Sequence, residues 1–224
     1  MFFPERITSI RAGDRVLEVG PGATPHPRAD EFLEYDFPEF GEAVRQRGGI
    51  VSAPDYAGRK VTRYTGDVFP YRDGEFDYVI ASHVIEHVAD PVRFAQELCR
   101  VGGGRGYIEF PLPTYEYLYD FAVHQHWVWL DASEAVIRFV PKSDLAQDPF
   151  GAITAAMQRG LEQGWDDLVA LNLPFFFSGL EYLDGVVVER MHDLHSFSPL
   201  PLPSGRGLGR RVGRKVARML RFLD

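Results

Sequence analysis

The run Val16-Leu17-Glu18-Val19-Gly20-Pro21-Gly22 constrains this chain of 224 residues more than any other stretch. Its apolar residues read as a buried strand, and the glycines after Glu18 read as a turn where bare backbone can meet a nucleotide-like ligand. Two glycines in three residues allow positive φ and close approach. Glu18, at the strand end, can accept hydrogen bonds from a cationic or hydroxyl-bearing ligand. The dinucleotide fingerprint needs a further glycine three residues after Gly22, and Pro25 stands there. The Gly-Lys-Ser/Thr ending of a phosphate-cradling P-loop occurs nowhere in the chain. Support for NAD, FAD or a P-loop nucleotide is therefore weak.

A second set of motifs follows: Gly66-Asp67-Val68-Phe69-Pro70, then Asp73-Gly74-Glu75-Phe76-Asp77-Tyr78-Val79, then Ser82-His83-Val84-Ile85-Glu86-His87, then Asp90-Pro91 and a Gly-Gly-x-Gly turn before Tyr107-Ile108-Glu109-Phe110-Pro111. In this order, from about Val16 to Pro111, the chain resembles the class I S-adenosylmethionine-dependent methyltransferases of the type 11-like group, and more loosely their sugar- and natural-product-modifying members. The resemblance implies S-adenosylmethionine as cofactor. It places Glu18, Gly20, Pro21 and Gly22 at the amino-acid end of that molecule, an acid ending the second strand on its ribose, Asp67 and Val68 on its adenine, and Ser82 nearby. Glu34 is favoured over Asp36 for the ribose because it directly follows Phe32-Leu33. Two departures stand out: Thr24 replaces the last motif glycine, and Thr24-Pro25-His26-Pro27 replaces the helix usual between the first two strands.

Apolar segments near 16–20, 31–35, 61–65, 76–81 and 105–110 alternate with helical ones, notably 90–101. That pattern predicts an α/β, Rossmann-like, doubly wound fold on a mainly parallel sheet, seven-stranded by the resemblance. Residues 1–200 are expected to form the methyltransferase domain, with an acceptor-side insertion over 113–175. In that insertion His124 to Val140 reads as a β-hairpin, 149–173 as helices, and Tyr182 to Met191 as a late strand. A hydrophobic content of 45% suffices for a substantial core. There is no apolar run near the ~20 residues of a spanning helix and no signal-peptide pattern at the start, and Cys99 is the one cysteine. A cytoplasmic protein is the expectation.

Methyl transfer to a hydroxyl needs alignment and removal of a proton. His83 and His126 are the candidate bases, with packing or cofactor contact an equal reading for His83. His87, Tyr115, His124 and Trp127 are the candidate acceptor contacts, and Trp129 reads as core. A glycosyl hydroxyl leads as acceptor, small or carrier-linked. His83-x-x-Glu86-His87 also spells an inverted zinc-protease motif, so a metal-dependent hydrolase is an alternative. His124 and His126, two apart on a strand, could chelate a cation, but no metal is assigned. A non-catalytic scaffold is the remaining rival.

Residues 201–224 read as a Pro-rich linker and a basic amphipathic helix. From Arg206 to Asp224 seven Lys/Arg and one acid give a local +6, against −8 for the whole chain, so the remainder carries −14. Such a helix can lie on an anionic membrane at its inner face or dock on its own acidic domain. A membrane location would make a lipid-linked glycan the attractive acceptor. The acidic body argues against nucleic acid.

Overall fold

The computed structural model describes residues 1–46, 54–145, 157, 159–160 and 167–197. In chain order these form β1 (Val16–Val19), β2 (Glu31–Tyr35), α1 (Phe40–Gln46), β3 (Lys60–Tyr64), β4 (Tyr78–Ser82), α2 (Pro91–Val101), β5 (Gly106–Pro111), α3 (Pro113–Tyr119), β6 (His126–Asp131), β7 (Val136–Pro141), α4 (Asp167–Ala170), α5 (Leu173–Phe176), β8 (Phe177–Tyr182) and β9 (Val187–Arg190). The central sheet runs β3-β2-β1-β4-β5-β8. Its first five strands are parallel and β8 pairs antiparallel with β5.

This is the α/β, Rossmann-like arrangement expected, with six central strands among the described residues rather than seven. The late strand expected over 182–191 is β9, and β8, which precedes it, was not expected. β8 ends at Tyr182 on the central sheet, while β9 joins the β6–β7 hairpin as a second, three-stranded sheet.

Every residue of β1, β4 (before Ser82) and β5 is buried, which is why these strands read as mainly apolar rather than alternating, with Glu18 and Glu109 as buried exceptions. Leu17, Phe32, Val79, Ile80 and Ile108 have no exposed surface, and burying each such side chain stabilises the fold by roughly 1.5–3 kcal/mol. α2 starts at Asp90, whose carboxylate accepts the Arg93 amide at 3.0 Å, with Pro91 in the first turn. Its buried face, Phe94, Leu98 and Val101, has the spacing of an amphipathic helix. Cys99 accepts a bond from the Val186 amide and burial pushes its thiol up, as suits a packing residue.

The strand order reverses direction between β1 and β4. Crevices outside the carboxyl ends of such strands hold ligands, and here that crevice receives the loops after β1, β2, β4 and β5. As the sequence indicates, no helix separates β1 from β2; the Pro-rich turn does. The helical segments expected over 149–173 and the linker and basic helix of 201–224 lie largely or wholly outside the described residues. Among the described residues no helix is long and apolar enough to cross a membrane.

Candidate active site

At the carboxyl ends of β1 and β4 lies a cleft of about 600 Å³, walled by Glu18, Gly20, Gly22 and Glu34 at one end and by His87, His124 and Tyr115 at the other. Gly20 and Gly22 both have φ of 60°. A Cβ on Gly20 would also sit 2.8 Å from Val84 Cγ2, whereas one on Gly22 would meet open space. Gly20 thus serves both the turn and close packing of the β1 and β4 loops. The Gly20 amide donates to the Leu33 carbonyl at 2.9 Å, tying the turn to β2.

Glu18 is buried, and one of its oxygens accepts the His26 amide at 2.7 Å. Burial pushes its carboxyl up to about 7, against the lowering effect of that amide. The Pro-rich turn that replaces the expected helix therefore has a job: it turns a backbone N–H onto Glu18.

Glu34 is buried, accepts the Tyr56 hydroxyl at 2.7 Å and faces the cleft. Asp36 is exposed, 3.8 Å from Arg63, and lines no part of it. Pro21 lines the same end. Asp67 lines an adjoining cavity of about 270 Å³ that shares Tyr35, Phe37 and Tyr64 with the main cleft. Val68 is 56% exposed. The sequence reading named no role for Tyr35, Phe37 or Tyr64. Their side chains belong to the strand ends and gain a common wall only when β2 and β3 pair.

Ser82 and His83 converge on Glu109, a residue the sequence reading left as plain strand. Its carboxylate accepts Ser82 Oγ at 3.1 Å, Tyr107 Oη at 2.7 Å and the amides of Phe2 and Phe3 at 2.7 and 3.0 Å, and meets His83 Nε2 at 3.0 Å. Although burial opposes its charge, His83 and these donors hold the carboxyl down at about 2. The signal available in sequence was an acid inside an otherwise apolar strand, which a buried sheet tolerates only with partners.

His83 takes φ of 58°, a strained value for a residue with a side chain. Its amide donates to the Glu109 carbonyl at 2.8 Å, and its two ring nitrogens face Glu109 and, at 3.5 Å, Glu86. Burial works against the imidazolium, but the two carboxylates outweigh it and raise the pKa. A ring engaged by acids on both sides clamps the turn after β4 to β5. His83 lines the cleft while making the packing contacts considered beside its base role.

His126 is buried with Nε2 2.9 Å from the Val88 carbonyl, outside the cleft. Trp127 packs toward Tyr117 and likewise lines no part of the cleft. Both were expected at the site. The reason they are not is that β6 pairs with β7 and β9 in the second sheet, so the cleft wall is made instead by α3 and the segment before β6, which supply Tyr115, Phe121 and His124. Tyr115 packs 5.5 Å from Phe121 and 4.7 Å from Phe177. Trp129 is in the core.

The proposed chelating pair His124–His126 does not form. His124 Nδ1 bonds the Glu116 carboxylate instead. The His83-x-x-Glu86-His87 run is a turn and not a helix, so its histidines do not share a helical face and the inverted zinc-protease reading fails on geometry.

Comparison with known proteins gives three findings. Residues 38–110 match a family model described as a methyltransferase domain. An "uncharacterized methyltransferase" of Mycobacterium sp. (strain JLS) is 34% identical over 89 residues, covering 40% of this chain; the chain spans about one third of the length of that curated relative, 34%. Among solved structures, the cyclase SpnF aligns over 81% of this chain and 79% of its own at 18% identity with a TM-score of 0.39. An S-adenosylmethionine-dependent methyltransferase from Mesorhizobium loti aligns over 57% and 56% at 18% identity with a TM-score of 0.33.

Proposed function

We propose that this chain is an S-adenosylmethionine-dependent methyltransferase that modifies a hydroxyl of a glycosyl group on a small or carrier-linked acceptor. The matched methyltransferase domain supports the reaction class. The observation that carries the site assignment is the cleft at the β1/β4 reversal, with a bare glycine turn and two buried acids at one end and aromatic and imidazole groups at the other.

The residues fit the cofactor. The open space over Gly22 admits a ligand against main chain, and Glu18 and Glu34 offer carboxylates to its ammonium and hydroxyl groups. Asp67, at the neighbouring cavity, suits the amino group of a base. When bound, S-adenosylmethionine supplies a methyl group on a positively charged sulfur. Tyr115, Phe121 and Phe177 give the other end an apolar wall on which a sugar ring can stack and which excludes water. The clamp of Ser82 and His83 on Glu109 fixes the β4 loop between the two ends.

If residues 206–224 form the basic amphipathic helix their spacing describes, an anionic membrane surface would bring lipid-linked glycans within reach. The test is incubation with S-adenosylmethionine and a panel of free, nucleotide-linked and lipid-linked glycosides, read by mass spectrometry. A methyl-sized mass increase on a glycoside is expected. Methylation confined to amines or carbon acids would overturn the hydroxyl assignment, and loss of the lipid-linked product on deletion of 206–224 would support the membrane role.

A further inference from the structure

Glu86 is wholly buried at the cleft, and neither of its carboxylate oxygens has a hydrogen-bond partner. The nearest cationic groups stand off at 3.5 Å, His83 Nδ1, and 3.8 Å, His87 Nε2. A buried carboxylate without donors is expensive, and proteins keep such groups where something else supplies the positive charge. His87 and His124 flank it with ring centroids 4.6 Å apart at 83°. One ligand atom each from Glu86, His87 and His124 lies within 4.8 Å of the others.

We propose that Glu86, His87 and His124 bind one divalent transition-metal ion at the acceptor end of the cleft. Two imidazoles and one carboxylate suit zinc, iron(II) or manganese(II) better than magnesium or calcium, which prefer oxygen throughout. The surroundings are those of a ligand set. His124 Nδ1 is engaged by Glu116, leaving Nε2 for the ion, and Lys142 Nζ lies 3.1 Å from the other Glu116 oxygen. A histidine held by a carboxylate behind it is the usual outer support of a metal ligand. His83 is not among the ligands: its Nε2 is taken by Glu109 at 3.0 Å, and its Nδ1 stands 3.5 Å from Glu86.

Three protein ligands leave positions open toward the cleft. The ion's role, unlike its binding, rests on the methyltransferase reading. A metal-bound alcohol loses its proton to water more readily than a free one, and His126 lies outside the cleft. Acceptors with two neighbouring oxygens, such as vicinal diols, would chelate the ion best.

The test is calorimetric titration of chelator-stripped full-length protein with zinc and with manganese, and separately with S-adenosylhomocysteine. The expected result is one equivalent of bound metal, weakened about tenfold or more by His124→Ala, by His87→Gln and, through loss of support, by Glu116→Gln, and unchanged by His195→Ala at the exposed surface. Thermal denaturation checks that each variant folds. No binding of either metal, or binding that all three variants leave intact, overturns the proposal. S-Adenosylhomocysteine affinity in the stripped protein separates this failure from failure of the cofactor assignment.

Discussion

The two ends of the cleft are built in different ways. The end holding Glu18, Gly20 and Glu34 comes from short strands and the turns that directly follow them, so each residue's position depends on a few neighbours in sequence. The end holding Glu86, His87, Tyr115 and His124 is assembled from the β4 turn, α3 and the segment before β6, bridged by the Gln125 and His126 amides on the Glu86 carbonyl at 2.7 and 3.3 Å. The first kind of site is visible in a linear motif. The second exists only after long-range packing, and it is also where acceptor choice must lie.

Glu109 joins the two ends, and its loss should have the largest effect. Removing a buried acid with five partners leaves those donors unsatisfied, so Glu109→Ala should lose about 3–5 kcal/mol of stability in urea unfolding. The pH dependence has a definite sign. The folded carboxyl lies at about 2 against an ordinary 4.5, so its stabilising contribution is present above 4.5 and fades as pH falls toward 2. Wild type should lose stability over that window more steeply than the variant. Equal slopes would remove Glu109 from its place as the joint.

Next in size, Glu18→Ala and Asp67→Ala should each weaken S-adenosylhomocysteine binding by about 1.5–3 kcal/mol without harming folding, as expected for loss of a charged hydrogen-bond partner. Glu18 titrates near neutrality in the free protein, at about 7 against 4.5. Its protonated form is favoured by the fold, so its contribution to stability is full below 4.5 and lost as pH rises through 7. Affinity for a ligand ammonium should instead grow between about pH 6 and 8, where the carboxylate forms. A flat affinity profile would show that Glu18 does not meet a cation.

The two glycines sharpen the contrast within one turn. Gly22→Ala should lose about 1–2 kcal/mol for its left-handed backbone alone, and Gly20→Ala more than that, because the new methyl meets Val84 at 2.8 Å. Equal losses would mean that the β4 loop yields. The smallest effect belongs to Trp127→Phe, which removes an indole N–H that has no partner and lies outside the cleft. Acceptor KM should be unchanged.

The parallel sheet was legible because β1, β4 and β5 are buried on both faces and appear as mainly apolar runs, broken only by Glu18 in β1, Ser82 at the end of β4 and Glu109 in β5. The Asp90-Pro91 helix start was legible because capping is a local event. The six-strand count was not, since β8 and β9 differ only in which partner they find, and the apolar pattern of 177–190 does not say so. Placing His126 and Trp127 in the cleft rested on reading their hairpin as part of the acceptor side. Pairing with β7 sends them elsewhere, and only tertiary structure brings Glu86, His87 and His124 together.

The most direct measurement is calorimetric titration of the full-length, metal-stripped protein with S-adenosylhomocysteine at pH 8. Micromolar binding that Glu18→Ala weakens at least tenfold is expected. No binding, or binding indifferent to Glu18, would contradict the assignment of the β1/β4 cleft as the cofactor site.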